Sequence, residues 1–452
     1  MIWVSINPSP MRIFTLIVCS LFMFCHASTG DEKPNIIYIM ADDLGYGDLA
    51  CYGNALHRTP NLDRMASNGI KMTDFHAAPW CAPSRRAFMT GCHPNRPWGK
   101  NFNRLASSVT FAEMLKSNDY QTAIIGKWHL GMGDGLHPLD QGFDYWYGTK
   151  GSNDWDGPRP NYSSFKNAPE SAWKTPYYIN RKKVGVIKQS EITGSYTQQA
   201  IQFIETNHQK PFFLFLSHNM PHVPIFASES FRGKSANGVY GDVIEELDWS
   251  TGEVIKCIQN HGLEKTTLIV FTSDNGPWKM FREFGGFSTP LRGEKSTTWE
   301  GGERVPCILY WPGVLKPSVN EGFMMNYDWY ATIASFTDSK IQKDHAVDSI
   351  DMSDALLSGN PAHRSRHVFY QSQAMAYRKK DFKIHFYTRD RTREPISGKQ
   401  EPSIKQTPPL LFNLKNDFGE KYNIAHKYPE LVRQLTKEFE DAKKSIQTWE
   451  KF

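Results

Sequence analysis

The 452-residue chain has no CxxC pair and no Cys/His cluster at zinc-binding spacing, so a structural zinc site is not expected. It has no block of like charge. Its 52 Lys and Arg are scattered against 47 Asp and Glu, and a net charge of +5 is small for this length, so a nucleic-acid partner is not expected either. No internal repeat is visible, which argues against a solenoid or propeller. The longest apolar run, near the N-terminus, is too short for a stable membrane span. What remains is a globular composition, 40% hydrophobic and 22% charged, in a chain long enough for two cores.

Arg12 precedes an apolar stretch at 13–25, and Cys25-His26-Ala27 reads as a small-residue cleavage site. Residues 1–27 are therefore expected to be a secretory signal, with Met11 as an alternative start and an extracytoplasmic mature protein. Val18 and Phe24 are poor neighbours for a lipidated cysteine at 19 or 25. Removing the signal leaves Cys51, Cys81, Cys92, Cys257 and Cys307. That odd number fits one special cysteine with up to two disulfides, or five buried thiols; both readings stay open. The 13 tryptophans would suit a sugar-binding surface as well as a core.

Residues 34–41 are continuously apolar, as in a strand buried on both faces of a parallel sheet. Similar runs at 122–126, 212–216, 268–272 and 305–310 alternate with helical patterns at 59–69, 111–115, 196–207 and 243–258. This order predicts a large doubly wound α/β domain with a mixed or mainly parallel sheet, over 31–345. Beyond it the apolar runs weaken. Short alternating segments at 367–370, 382–387 and 410–414 predict an antiparallel sheet, with a polar hairpin excursion or mobile loop at 388–409. Leu431, Leu435, Phe439 and Ala442 predict a closing amphipathic helix, which completes a smaller α+β domain over 346–452.

Chemistry is expected at the carboxyl ends of the strands. Asp42 and Asp43 follow the first strand, and Asp274 and Asn275 follow the strand ending at Thr272. Together they form an all-oxygen set suited to Ca²⁺ or Mg²⁺, although each pair alone would more often be a turn. Lys127 and His129 follow a third strand, and His222 lies in a proline-fixed loop after a fourth, placed as a general acid or base. Lys295 lies in a polar loop and could clamp an anion. Cys81 opens a helix whose Pro83 and Gly91 are start and stop signals, with Arg85 one turn on. A helix N-terminus favours negative charge, so a thiolate nucleophile is one reading of Cys81. His218, Ser152, Asn153 and Asp154 lie on loops that could reach a substrate.

The ordered segments PNIIYIMADDLGYGD, CAPSR, GKWHLG, HNMPHVP, FTSDNG and EKSTTWEGG resemble the type I sulfatases of the alkaline phosphatase superfamily. The resemblance covers nearly the whole mature chain. The stretch ASESFRGKSANGVYGDVIEELD is similar to arylsulfatase A and N-acetylgalactosamine-6-sulfatase.

That resemblance implies that Cys81 is oxidised to Cα-formylglycine by a maturation enzyme and acts as its hydrate. It implies that Asp42, Asp43, Asp274 and Asn275, with the modified Cys81, hold Ca²⁺ (Mg²⁺ being the second choice). Arg85 and Lys127 would stabilise the diol and sulfate, His222 would protonate the leaving alcohol, and Lys295 would bind sulfate. His129 would take the proton that lets a covalent hemisulfate collapse. A thiolate would instead form a stable thiosulfate-like adduct, which favours the aldehyde. The implied substrate is a sulfated carbohydrate, with 6-sulfated galactose or N-acetylgalactosamine units suggested by the likeness. The alternatives are a phosphomonoester or phosphonate hydrolase, and a non-catalytic carbohydrate-binding relative. The second would be marked by losses among Asp42, Lys127, His129, His222 and Lys295, all of which are present. Two departures stand out: Cys92 where many relatives carry arginine, and Glu294 beside Lys295.

Overall fold

The computed structural model describes residues 33–96, 108–158, 161–391, 393 and 399–448. The expected signal segment and part of the 388–409 excursion lie outside the described residues. In chain order the first strands are β1 (Asn35–Ala41), β2 (Ile70–Met72), β3 (Phe75–His76), β4 (Gln121–Gly126), β5 (Tyr145–Gly148), β6 (Pro176–Ile179) and β7 (Lys182–Val186). They are followed by β8 (Phe212–Ser217), β9 (Thr267–Ser273), β10 (Cys307–Tyr310), β11 (Ser318–Asn320) and β12 (Met324–Met325). Ten of these form one sheet in the order β11-β2-β10-β9-β1-β8-β4-β5-β6-β7, and β3 pairs with β12 apart from it.

The centre of the sheet is parallel, with β1 between β8 and β9 and β4 joining β8 to β5. β10 runs antiparallel to β9 and begins later than the 305–310 run suggests. Pro306 has no N–H to add to a ladder, and Val305 N–H donates instead to Phe75 O at 3.0 Å. The β5–β7 edge was not foreseen. β7 carries Lys182 and Lys183 and is largely exposed, so it lacks the apolar run that marks the central strands.

All seven residues of β1 are buried because helices cover both sheet faces. Ile36, Tyr38 and Met40 face one core, with Phe88 of helix Cys81–Thr90 and Ile333 of helix Trp329–Phe336. Ile37 and Ile39 face the other, with Ala200 of helix Ile192–Asn207 and Val243 of helix Gly238–Asn260. Each fully buried isoleucine contributes roughly 2 kcal/mol of transfer free energy.

The remaining strands, β13 (Arg366–Tyr370), β14 (Ala374–Lys379), β15 (Phe382–Thr388) and β16 (Ile404–Asn413), form a separate antiparallel sheet. Leu435, Phe439, Ala442 and Ile446 of helix Pro429–Thr448 pack on its Val368, Tyr377, Ile384 and Leu411. β16 extends well upstream of the expected 410–414. Its Pro408 and Pro409 fall where the register with β15 shifts, on an edge strand where missing donors are tolerated. Buried ion pairs join the small sheet to the large one: Arg378 contacts both carboxylate oxygens of Asp74, at 2.8 and 2.5 Å, and Lys383 Nζ reaches Glu300 at 2.7 Å.

The five described cysteines are all free thiols. Cys307 lies in one core of the large sheet and Cys257 in the other, so the two-disulfide reading gives way to separate, mostly buried thiols. No helix among the described residues is long and apolar enough to cross a membrane.

Candidate active site

β9, β1, β8 and β4 are consecutive neighbours, so the loops at their carboxyl ends converge. They deliver Asp274 and Asn275, Asp42 and Asp43, His222, and Lys127 with His129. Gly126 makes the last of these turns with φ +117°, where an added Cβ would lie 1.8 Å from Ser217 O. Helix Cys81–Thr90 presents Cys81 as its first residue and stops at Gly91 in the left-handed conformation (φ 64°). Asp43, His129 and Ser296, at φ 68°, 63° and 67°, hold left-handed backbone without being glycine. Such strain of about 1–3 kcal/mol per residue persists only where surrounding structure imposes it.

Around Cys81 the contacts are close. Its Sγ lies 3.2 Å from Asp42 Oδ1, 3.8 Å from Asp43 Oδ1 and 3.3 Å from Lys295 Nζ. Lys295 Nζ also donates to Asp43 Oδ1 at 2.6 Å, and Asn275 Nδ2 donates to the same oxygen at 2.7 Å. Lys127 Nζ pairs with Asp42 Oδ2 and donates to Ser152 Oγ at 2.9 Å. Arg85 turns two donors to Asp274 Oδ2, at 2.9 and 2.7 Å, and Asp274 Oδ1 accepts from Asp43 N–H at 3.2 Å. His222 Nε2 is 3.8 Å from Asp43 Oδ2, while Nδ1 lies 2.6 Å from Val223 O. A carbonyl only accepts, so Nδ1 carries a proton and Nε2 is the nitrogen free to exchange one.

Burial and charge set the protonation of these groups. Burial opposes ionisation of Asp42, but Lys127 above all holds its carboxyl well below the usual range. For Asp274, burial and the charge of Asp42 win over Arg85, and its pKa rises. Burial weakens the charge of Lys295, but Asp43 and its neighbours outweigh this and hold the ammonium more firmly protonated. His129 is pushed well below its ordinary value by burial and then by Lys127 and Arg85, which leaves a neutral imidazole able to accept a proton. The Cys81 thiol is pushed up by burial, Asp274 and Asp42, which disfavours a thiolate. Its sulfur stands where a formylglycine would carry its oxygens.

The residues fit a hard cation. Donor atoms of Asp42, Asp43, Cys81 and His222 lie within 4.8 Å of one another. Asp43 Oδ2 and Asn275 Oδ1 are buried without a hydrogen-bond partner, a cost of about 1–3 kcal/mol each that a cation would offset. Three carboxylates and an amide oxygen match the ligand chemistry of Ca²⁺ or Mg²⁺. Asp74, His76 and Glu300 form a second compact cluster. Arg378 and Lys383 already engage its carboxylates, and it acts as a bracket between the sheets.

The site floors a cavity of about 570 Å³ lined by Cys81, His129, His222 and Lys295. Its walls add residues that the sequence did not point to: Trp80, Trp155, Trp278, Tyr370 at the end of β13, and Gln371 and Ser372 in the turn to β14. Trp155 is 51% exposed and meets the His129 ring edge-on at 5.1 Å. The sequence offers only a tryptophan set in the polar stretch 152–157, with no apolar run to bury it. Ser152 and Asp154 line the cavity, whereas His218 and Asn153 lie buried outside it. Asn153 instead donates to Pro224 O at 2.8 Å, tying the His222 loop in place. Cys92 is buried and absent from the lining, while Glu294 turns to a neighbouring cavity.

Comparison with known proteins agrees with this geometry. The sulfatase family profile matches residues 34–339, and that of the C-terminal region of aryl-sulfatase matches 362–451. The chain is 32% identical over 463 residues to N-acetylgalactosamine-6-sulfatase of Mus musculus, covering 93% of this chain and 88% of that one. It is 34% identical over 437 residues to arylsulfatase A of Bos taurus, covering 89% and 85%. Among solved structures it resembles the PsFucS1 sulfatase from Pseudoalteromonas sp., with TM-score 0.83, 28% identity and coverage of 93% and 92%. The matches together span the large sheet and the small antiparallel one, and the chain is a member of the sulfatase family, an enzyme that hydrolyses sulfate esters.

Proposed function

We propose that this sulfatase removes sulfate from a carbohydrate, acting at Cys81 after its oxidation to formylglycine by a maturation enzyme. The observation that carries the reading is the Cys81 sulfur, 3.3 Å from Lys295 Nζ and 3.2 Å from Asp42, on the floor of an aromatic-walled cavity. When present, the formylglycine hydrate supplies the nucleophilic oxygen and Ca²⁺ supplies Lewis acidity. Asp42, Asp43, Asp274 and Asn275 would hold the cation.

The chain's own residues do the rest. Lys295 and Lys127 are cations that would bind sulfate oxygens and offset their charge, with Arg85 holding Asp274 in place. His222 Nε2, when protonated, is the donor for the departing alcohol, because Nδ1 is committed to Val223 O. His129, held neutral, is the complementary proton acceptor lining the same cavity. Trp155 and Trp80 offer apolar faces suited to a sugar ring, and Asp154 offers an acceptor for its hydroxyls. The likeness to an N-acetylgalactosamine-6-sulfatase supports 6-sulfated galactose or N-acetylgalactosamine units as the first substrates to try. The apolar N-terminal stretch supports an extracytoplasmic location.

The test is product release from matured protein supplied with Ca²⁺ and given 4-nitrophenyl sulfate, 4-nitrophenyl phosphate and 6-sulfated sugars. Sulfate release from the sugars, exceeding phosphate release in kcat/KM, supports the reading. Faster phosphate release would turn the assignment to a phosphomonoesterase.

A further inference from the structure

The loop that carries His222 is tied down on both sides of that residue, and both ties lead back to the start of helix Ile192–Asn207. Upstream, Asn219 Oδ1 accepts from the hydroxyl of Tyr196, within that helix, at 2.8 Å. Asn219 O in turn accepts from His222 N–H at 3.1 Å. Downstream, Pro224 O accepts from Asn153 Nδ2 at 2.8 Å. The other Nδ2 hydrogen goes to Gln189 Oε1, also at 2.8 Å, and Gln189 opens the 3₁₀ turn just before the helix. Gln189 Nε2 donates to Thr175 Oγ1 at 2.7 Å and to Asn153 O at 3.2 Å, which closes the set.

Asn153, Gln189 and Thr175 are buried, and none of them lines the active-site cavity, although Ser152 and Asp154 on either side of Asn153 do. Asn153 Oδ1 has no partner, so its two donors alone orient the amide. Buried hydrogen bonds of this kind select one arrangement where an apolar filling would tolerate several. What they fix here lies close to the chemistry. Pro224 O is one residue beyond Val223 O, which accepts from His222 Nδ1 at 2.6 Å and so sets the plane of the ring. His222 Nε2 is then held 3.8 Å from Asp43 Oδ2, on the cavity lining.

We infer that Gln189, acting through Asn153, is a positioning residue for His222 and keeps the Nε2 proton within reach of the departing oxygen. The inference rests on the reading of His222 as proton donor in a sulfatase, and it deepens that reading. When the bond between sulfur and the ester oxygen breaks, the oxygen keeps the electron pair and takes the proton from Nε2. An acidic phenol such as 4-nitrophenol leaves with little help, whereas a sugar hydroxyl depends on the proton. Loosening His222 should therefore slow substrates selectively, according to their leaving group.

The experiment measures kcat/KM of the wild type and of Gln189→Met on aryl sulfates of graded phenol acidity and on a 6-sulfated sugar. On 4-nitrophenyl sulfate the variant should stay within about threefold of wild type, because its leaving group needs little protonation. On the least acidic phenol and on the sugar it should lose about 10–100-fold, as expected for a misplaced proton donor. The dependence of rate on leaving-group acidity thus steepens. A smaller folded fraction would lower all substrates by one common factor and leave that slope unchanged, so the slope separates positioning from stability. An unchanged slope would overturn the inference. If Gln189→Met yields no folded protein, Asn153→Ala decides by the same criterion. If the wild type hydrolyses none of the substrates, the sulfatase reading fails, and hydrogen–deuterium exchange of segment 217–224 then decides the positioning role separately. Faster exchange in Gln189→Met than in wild type supports it, and equal exchange overturns it.

Discussion

Lys383, on strand β15 of the small sheet, donates a hydrogen bond to Glu300 at 2.7 Å, and Glu300 opens the helical turn just after the loop that carries Lys295. Glu300 N–H donates in turn to Glu420 Oε2 at 2.6 Å, and the Trp299 ring packs 4.3 Å from His385. The small sheet is therefore more than an appendage. It braces the polar loop from behind while its β13–β14 turn supplies one wall of the substrate cavity.

Replacing Lys383 by methionine should destabilise the fold by about 3 kcal/mol, because buried Glu300 and Glu420 would lose the lysine they share and be left with Arg304 and the His76 and His385 rings as partners. Urea unfolding reads the loss as a lower midpoint. A change below about 1 kcal/mol would show that water or rearrangement satisfies the carboxylates and that the bracket is weak.

Lys295→Ala should lower kcat by about 10²–10³-fold, the usual loss when one donor to developing negative charge is removed. Lys295 Nζ lies 2.6 Å from Asp43 Oδ1 and 3.3 Å from Cys81 Sγ, and it faces the Trp278 ring at 4.5 Å, so its charge is directed at the site. Retained kcat in steady-state assays would remove Lys295 from the reaction.

His93 predicts an acid limb in stability. Its Nε2–H donates to Val368 O at 2.9 Å and its Nδ1 accepts from Asn95 N–H at 3.1 Å, so the folded ring is neutral. Burial, against the pull of Asp348, depresses its pKa to about 4. The unfolded histidine titrates near 6.5, as ordinary histidine does. Between these values the unfolded chain binds more protons than the folded one. The contribution is thus complete above about pH 6.5 and is lost as pH falls towards 4, up to about 3 kcal/mol in all. The melting temperature of wild type should fall across this window more steeply than that of His93→Gln. Parallel curves would contradict the assignment.

Much of this was legible in the sequence where one physical signal acts locally. The apolar run of β1 announced a strand covered on both faces, and Pro83 with Gly91 bounded the Cys81 helix. Asp42, Asp43, Asp274 and Asn275 declared themselves by following such strands. The rest depends on which distant segments meet. Nothing local distinguishes Glu300 from a solvated loop residue until Lys383 and His76 are brought to it. The β5–β7 edge lacks the hydrophobic run that burial on both faces demands. Tyr370–Ser372 became a pocket wall only because the small sheet docks over the strand ends.

The central claim is that Cys81 is the precursor of an aldehyde in a sulfatase site. Mass spectrometry of the tryptic peptide spanning residues 72–85, from protein purified out of its native host, tests it most directly. The account predicts a loss of about 18 Da relative to the thiol, accompanied by the hydrate. An unmodified thiol in folded, native protein would contradict it.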